Sequence, residues 1–237
     1  MTENQDETLI AHLEALRKML IRCLSALAIG LVPIFFITPY IMDVLLKVMM
    51  GGLNLAFNFF APMEVFILQI KMALVLDILL CFPFIAREIW KFILPALYDN
   101  ERRFIISIVW SSSALFVIGV LFCLFFILPL VIRFGLSFES DNIQPMFGIG
   151  NVISLALWLS VVFGIMFQFP LITYALVASG ITDYETVKSK RSYVFVGILI
   201  LSGILTPPDI VSQLMLTLPT YFLFEIGLFF ASKQKNT

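Results

Sequence analysis

Charged residues are scarce in this 237-residue sequence: 13% are Asp, Glu, Lys or Arg, while 61% are hydrophobic. Together with a mean hydropathy of +1.03, that balance excludes a soluble globular domain. Histidine is scarcer still. His12 stands alone, so no histidine-based metal set or catalytic constellation can be assembled, and a structural or solvated role suits it best. The three cysteines, Cys23, Cys81 and Cys123, lie in apolar runs and suit buried small hydrophobes, with neither a disulfide framework nor a metal-ligand spacing. Walker, HExxH and GxSxG patterns are absent and no nucleophile–base pair is visible, so no cofactor or metal is implied and an enzyme is disfavoured. A formal net charge of −1 argues against a nucleic-acid partner. The first twenty residues lack a basic n-region and a small-residue cleavage site, which predicts that the first span is retained.

What the chain has in abundance is apolar windows of span length. They predict an all-α polytopic membrane protein, one integral membrane domain over 1–237 with six transmembrane helices in the lipid bilayer. Residues 1–19 form a cytoplasmic amphipathic segment, with Leu9, Leu13, Leu16 and Leu20 at helical spacing. The spans are 20–37, 63–84, 104–132, 151–178, 192–206 and 210–231. Pro33 is expected to bend the first, and Gly164, Gln168 and Pro170 to interrupt the fourth. Thr38-Pro39 predicts a fresh helix start, and 38–62 an extracytoplasmic cap rather than a span, because Asp43, Lys47 and Gly51-Gly52 interrupt it. The last two spans are short. Tyr193–Leu205 gives about 20 Å of helix against a hydrocarbon core of about 30 Å, and the turn Thr206-Pro207-Pro208-Asp209 follows at once.

Twelve of the fifteen Lys and Arg residues fall in the N-terminal segment, the 82–103 stretch, the 179–191 loop and the C-terminal tail. By the positive-inside rule both termini are cytoplasmic. The 82–103 stretch is the largest of these basic segments. It interleaves Arg87, Lys91, Arg102 and Arg103 with Glu88, Asp99 and Glu101 and with Trp90, Phe92 and Tyr98, and it predicts a juxtamembrane loop with a binding task. Glu101 either pairs locally with arginine or offers its carboxylate to a cationic ligand, with a geometric preference for arginine over lysine. Polar groups inside the spans each need a partner: Asp77, Glu225, Gln69, Gln168, Gln213 and Lys71. For Asp77 and Glu225 structural and functional roles are equally open.

Taken together, these segments resemble TatC, the core subunit of the twin-arginine protein translocase. The resemblance rests on His12-Leu13…Leu16-Arg17 before the first span, Pro62…Glu64…Phe66 at the second, and Pro83…Trp90…Phe92…Pro95-Ala96-Leu97-Tyr98…Glu101-Arg102-Arg103. Further along come Phe163-Gly164…Phe167-Gln168…Pro170, then Thr206-Pro207-Pro208-Asp209…Ser212-Gln213, and Pro219…Phe224-Glu225-Ile226-Gly227. It implies a cupped arrangement of six helices and a receptor for twin-arginine signal peptides, the core of a translocase that exports folded proteins across the cytoplasmic (inner) membrane on the proton-motive force. It also implies TatA- and TatB-type partner subunits in an oligomeric complex. Signal-peptide binding would fall to Glu101, Glu14, Arg17, Trp90, Phe92, Tyr98, Arg102 and Arg103. Gln168, Glu225, Gln213, Asp209, Glu64 and Phe66 would be intramembrane polar or partner-contact positions. Two departures stand out. Where the family has an acid directly before the Leu-Arg pair, this chain has Ala15, and Glu14 either replaces that acid or only pairs with Lys18. At Gln168 many members carry Glu.

The short spans also predict a water-accessible hollow on the extracytoplasmic side, bounded by spans four to six and lined in part by Gln168. The competing reading is a proton-coupled small-solute secondary transporter, which would show paired repeats with broken helices; no convincing repeat is found.

Overall fold

The first helix does not stop at its prolines. In the computed structural model, which describes residues 3–50, 57–58, 60–93, 102–137, 147–178, 180–205 and 210–234, helix α1 (Glu3–Met50) runs through both Pro33 and Pro39. The helix start expected at Thr38-Pro39 is therefore corrected, and the helix that carries the first span continues past 37. Thr38 is wholly buried, and its hydroxyl donates back to the Ile34 carbonyl at 2.9 Å instead of capping a new helix. An apolar environment offers freed backbone groups no water, so the chain keeps its helix on both sides of a proline.

Helix α2 (Glu64–Ile93) likewise continues through Pro83. The 82–103 stretch, expected as a loop, is thus helical as far as Ile93. Arg87, Glu88 and Lys91 are good helix formers, and Trp90 anchors the extension by packing with Ala86, Ile108, Leu171 and Ala175. The next rod comprises α3 (Arg102–Phe122), a π-helical turn at Cys123–Ile127 and α4 (Leu128–Leu136), and it outruns the expected end at 132. The Leu128 N–H reaches the Cys123 carbonyl five residues back. Pro129 has no N–H for the Phe125 carbonyl, and the widened turn just before it absorbs that lost bond.

The expected fourth span divides into α5 (Ile149–Met166) and α6 (Phe169–Ala178), with a turn at Phe167-Gln168. Pro170 is the second residue of α6, where its missing N–H leaves nothing unpaired. Helix α5 is apolar all round and is the innermost element: Leu159, Val162 and Phe163 pack with Cys123, Ile127 and Leu216. The 179–191 segment, expected as a plain loop, contains the short α7 (Tyr184–Ser189), and α8 (Arg191–Leu205) and α9 (Ile210–Gln234) follow. Among the described residues five helical stretches are long and apolar enough to cross a membrane; α8 is apolar but shorter. Helix α2 packs on α1, α3 and α5, while α9 packs on α6 and α8. Between α3, α6 and α9 lies an open groove of about 730 Å³, lined by Ser111, Leu115, Phe167, Pro170, Tyr174 and Leu223.

At the far end from the 82–103 stretch, β1 (Phe57–Asn58) and β2 (Phe147–Gly148) form a short parallel pair. Glu64 fastens this region. Its Oε2 accepts from the Phe60 N–H at 2.7 Å and the Ala61 N–H at 3.3 Å, and its Oε1 accepts from the Gly150 N–H at 2.8 Å. One carboxylate thereby faces the N-termini of both α2 and α5, where negative charge is favoured. A Cβ at Gly150 would collide with that carboxylate. Glu64→Ala is expected to lower stability, because three backbone N–H groups lose their charged acceptor. Glu64→Gln, which keeps one acceptor oxygen, should fall between. Thermal unfolding in detergent checks the order, and equal stability of all three proteins would contradict it.

Candidate functional site

The N-terminal segment of α1 lies along the C-terminal end of α2, where basic residues concentrate. His12 stacks on Phe92 with ring centroids 4.5 Å apart and an interplanar angle of 29°. One turn on, Lys18 Nζ lies 2.8 Å from Glu14 Oε1, and both side chains are exposed. The Lys18 ammonium, by hydrogen bond and charge, holds the Glu14 carboxyl below its usual range. Of the two readings of Glu14, the pairing with Lys18 is present.

A second ion pair was not singled out in the sequence. Arg22 Nη1 donates to Glu88 Oε2 at 3.1 Å, and the Glu88 side chain is only 7% exposed. A cleft of about 180 Å³ sits over this pair, lined by Ala15, Lys18, Met19, Arg22, Glu88, Lys91 and Phe92. The partners are 66 residues apart in sequence. The one signal that could have found Glu88 is its register: it sits eleven residues, about three helical turns, after the buried Asp77, on a helix that had been taken for a loop.

The other expected binding residues distribute unevenly. Phe92 lines the cleft and Arg17 is exposed on α1. Trp90 is corrected: it is a core residue of α2, 5% exposed, and does not shape a loop. Glu101 and Tyr98 lie outside the described residues. Arg102 and Arg103 open α3, and their side chains are outside the described part.

Deeper in the molecule the polar groups satisfy one another across helices. Gln168 is buried: it accepts from Ser112 Oγ at 2.5 Å and donates to the Ser112 and Gly164 carbonyls at 3.2 Å each. Its partner is α3, not α8 or α9, so the expectation that Gln168 lines an extracytoplasmic hollow is corrected. The turn at 167–168 points its amide into the helix contact, where it replaces backbone bonds lost at the break. Gln213 donates to the Leu199 carbonyl at 3.0 Å, and the exposed Trp158 indole donates to the Leu205 carbonyl at 2.7 Å, so α9 and α5 each hold a carbonyl of the short α8. Asp209 lies outside the described residues.

Glu225 pairs with Arg191, Oε2 to Nη2 at 3.0 Å, and its Oε1 accepts from the Tyr221 hydroxyl at 2.9 Å. Lys71 donates to Ser154 at 3.0 Å. Phe66 is half-exposed and meets the edge of Phe35 at 6.2 Å. Asp77 is wholly buried between α1 and α2 beside Gly30, and accepts a weak bond from the Cys81 thiol at 3.4 Å.

Comparison with known proteins decides what this arrangement belongs to. The family model for "Sec-independent protein translocase protein (TatC)" matches residues 11–219. This chain belongs to the TatC family. The TatC protein of Carboxydothermus hydrogenoformans is 35% identical over 97% of this chain and 94% of its own length. That of Escherichia coli is 36% identical over 98% and 90%. A crystal structure described as the twin arginine translocase receptor TatC superposes with a TM-score of 0.83 at 31% identity, over 93% of this chain and 99% of that one. The chain is thus a multi-pass membrane component of the Tat translocase, and the solute-transporter alternative falls away. The family match extends across the helix breaks and the short α8.

Proposed function

We propose that this TatC protein is the receptor for twin-arginine signal peptides, seated in the cytoplasmic membrane with six spans and both termini in the cytoplasm. The observation that carries this reading is the cleft between α1 and α2. It joins a buried carboxylate to aromatic and aliphatic walls at the end of the molecule where Lys and Arg concentrate. Glu101, directly before α3 in the sequence, supplies a further carboxylate to the docking peptide, and Phe92 and Tyr98 contact its apolar stem. Arg17, Arg102 and Arg103 set the frame. TatA- and TatB-type subunits dock along the spans, the groove between α3, α6 and α9 offers one such surface, and the proton-motive force drives export of the folded cargo.

A labelled peptide carrying two arginines, titrated against the purified protein in detergent, tests the reading. It should bind at least about tenfold more tightly than its two-lysine counterpart, because the planar guanidinium can engage carboxylates bidentately. Equal binding of the two peptides would refute the receptor role. Glu101→Gln should weaken the two-arginine peptide by about 1.5–3 kcal/mol, the range for a hydrogen bond to a charged group.

A further inference from the structure

Glu88 is a carboxylate in an unusual position: more than nine-tenths buried, at the floor of a cleft that is otherwise open to the cytoplasmic side. Its described partner is a single guanidinium nitrogen, Arg22 Nη1. Arg22 itself is 55% exposed, so the pair is a half-solvated side chain lying across a sunken acid. Lys18 is held by Glu14, and Glu14 stands outside the cleft. Ala15 lines the cleft and offers no carboxylate, which leaves Glu88 the one acid among its described lining residues. The walls, Met19 and the face of Phe92, suit the aliphatic stem of a long cationic side chain.

A buried carboxylate already satisfied by a guanidinium is a template for a guanidinium. We propose that Glu88 is an arginine-accepting residue of the signal-peptide site and that Arg22 is its built-in resting occupant, displaced when an arginine of the incoming peptide takes the same carboxylate. This rests on the receptor reading above and adds to it both a specificity residue and a latch. At rest the latch keeps Glu88 paired, which removes the cost of an unpartnered buried charge. On docking, one guanidinium–carboxylate pair is exchanged for another, and Arg22 swings to solvent. A lysine ammonium cannot reproduce the planar donor fork, so the exchange itself discriminates against lysine.

The test is a titration of two-arginine and two-lysine peptides against four proteins: unaltered, Arg22→Gln, Glu88→Gln and the double variant. Arg22→Gln should bind the two-arginine peptide about fivefold more tightly, since a half-exposed ion pair no longer has to be broken first. Glu88→Gln should bind it about tenfold more weakly and lose much of its preference over lysine. In the double variant the gain from Arg22→Gln should vanish. A purely structural ion pair predicts lower thermal stability for each single variant with unchanged peptide affinity, and that result overturns the proposal. If the unaltered protein prefers arginine while none of the variants shifts affinity, the proposal fails and the receptor reading stands. If the unaltered protein shows no preference, the receptor reading fails and takes the proposal with it. Should a single variant not fold, a photocrosslinker at Met19 in an otherwise unaltered chain decides: adducts with the two-arginine peptide support the proposal, and their absence overturns it.

Discussion

Gly227→Leu is expected to destabilise this TatC protein by about 3 kcal/mol and to abolish export. The reason is a backbone contact. A Cβ at 227 would lie 2.6 Å from Pro170 Cα and 2.7 Å from the Pro170 carbonyl oxygen. Neither atom is the end of a flexible side chain, so α9 and α6 must move apart. Lipid tails are as apolar as the side chains they would replace, so the close contact itself is what holds such helices together. Gly227→Ala already brings the Cβ and should cost about 2 kcal/mol. The separation would also distort the groove between α3, α6 and α9, because Pro170 lines it. Gly197 is the control, since a Cβ there meets nothing within 4 Å. Gly197→Ala should leave stability unchanged or raise it by up to about 1 kcal/mol through helix propensity. Thermal unfolding in detergent and export of a reporter in cells give the two readouts. A Gly227→Leu protein as stable as the Gly197→Ala control would mean that the helices are not in contact at this point.

The sequence made some of this architecture legible and hid the rest for physical reasons. The short α8 could be read directly, because the length of an apolar run between Arg191 and Pro207 is a local property. The break near Gln168 could also be read, since a glycine, an amide and a proline in one span announce it. The continuity of α1 could not. Thr38-Pro39 carries the local chemistry of a helix start, yet in a membrane protein the demand that every backbone group be satisfied overrides the local preference. The same override extended α2 through Pro83 and turned Trp90 from an expected loop residue into core. Pairings were hidden most thoroughly. Glu88 and Arg22 are two ordinary charges in sequence, and only the packing of α1 along α2 brings them together. Gln168 was legible as a residue needing partners, but not as the partner of Ser112, because a span's sequence does not disclose which neighbour each face meets.

The pairing of Arg191 with Glu225 carries the second large effect. Arg191 is the first residue of α8, and Glu225 lies deep in the sequence of α9. Their ion pair at 3.0 Å, with the Tyr221 hydroxyl on the other carboxylate oxygen, ties the start of α8 to α9. Arg191→Met removes the cation and leaves a carboxylate beside apolar helix with one hydroxyl donor. A fully buried pair broken in this way costs about 3–5 kcal/mol. Here the side chains are 41% and 30% exposed, so solvent screens part of the loss and about 2 kcal/mol is expected. Glu225→Gln keeps one acceptor oxygen, for Arg191, and its NH2 can donate to the Tyr221 hydroxyl oxygen, so it should cost less than Arg191→Met. Removing both charges, Arg191→Met with Glu225→Met, should recover most of the loss, because neither partner is then left unpaired in an apolar setting. The recovery is the discriminating result. Two independent surface charges would give additive losses, whereas a coupled pair should show an interaction energy of about 1 kcal/mol or more in the double-mutant cycle. Strict additivity of the single and double variants in thermal unfolding would show that α8 is held to α9 by its apolar contacts and by Gln213 alone.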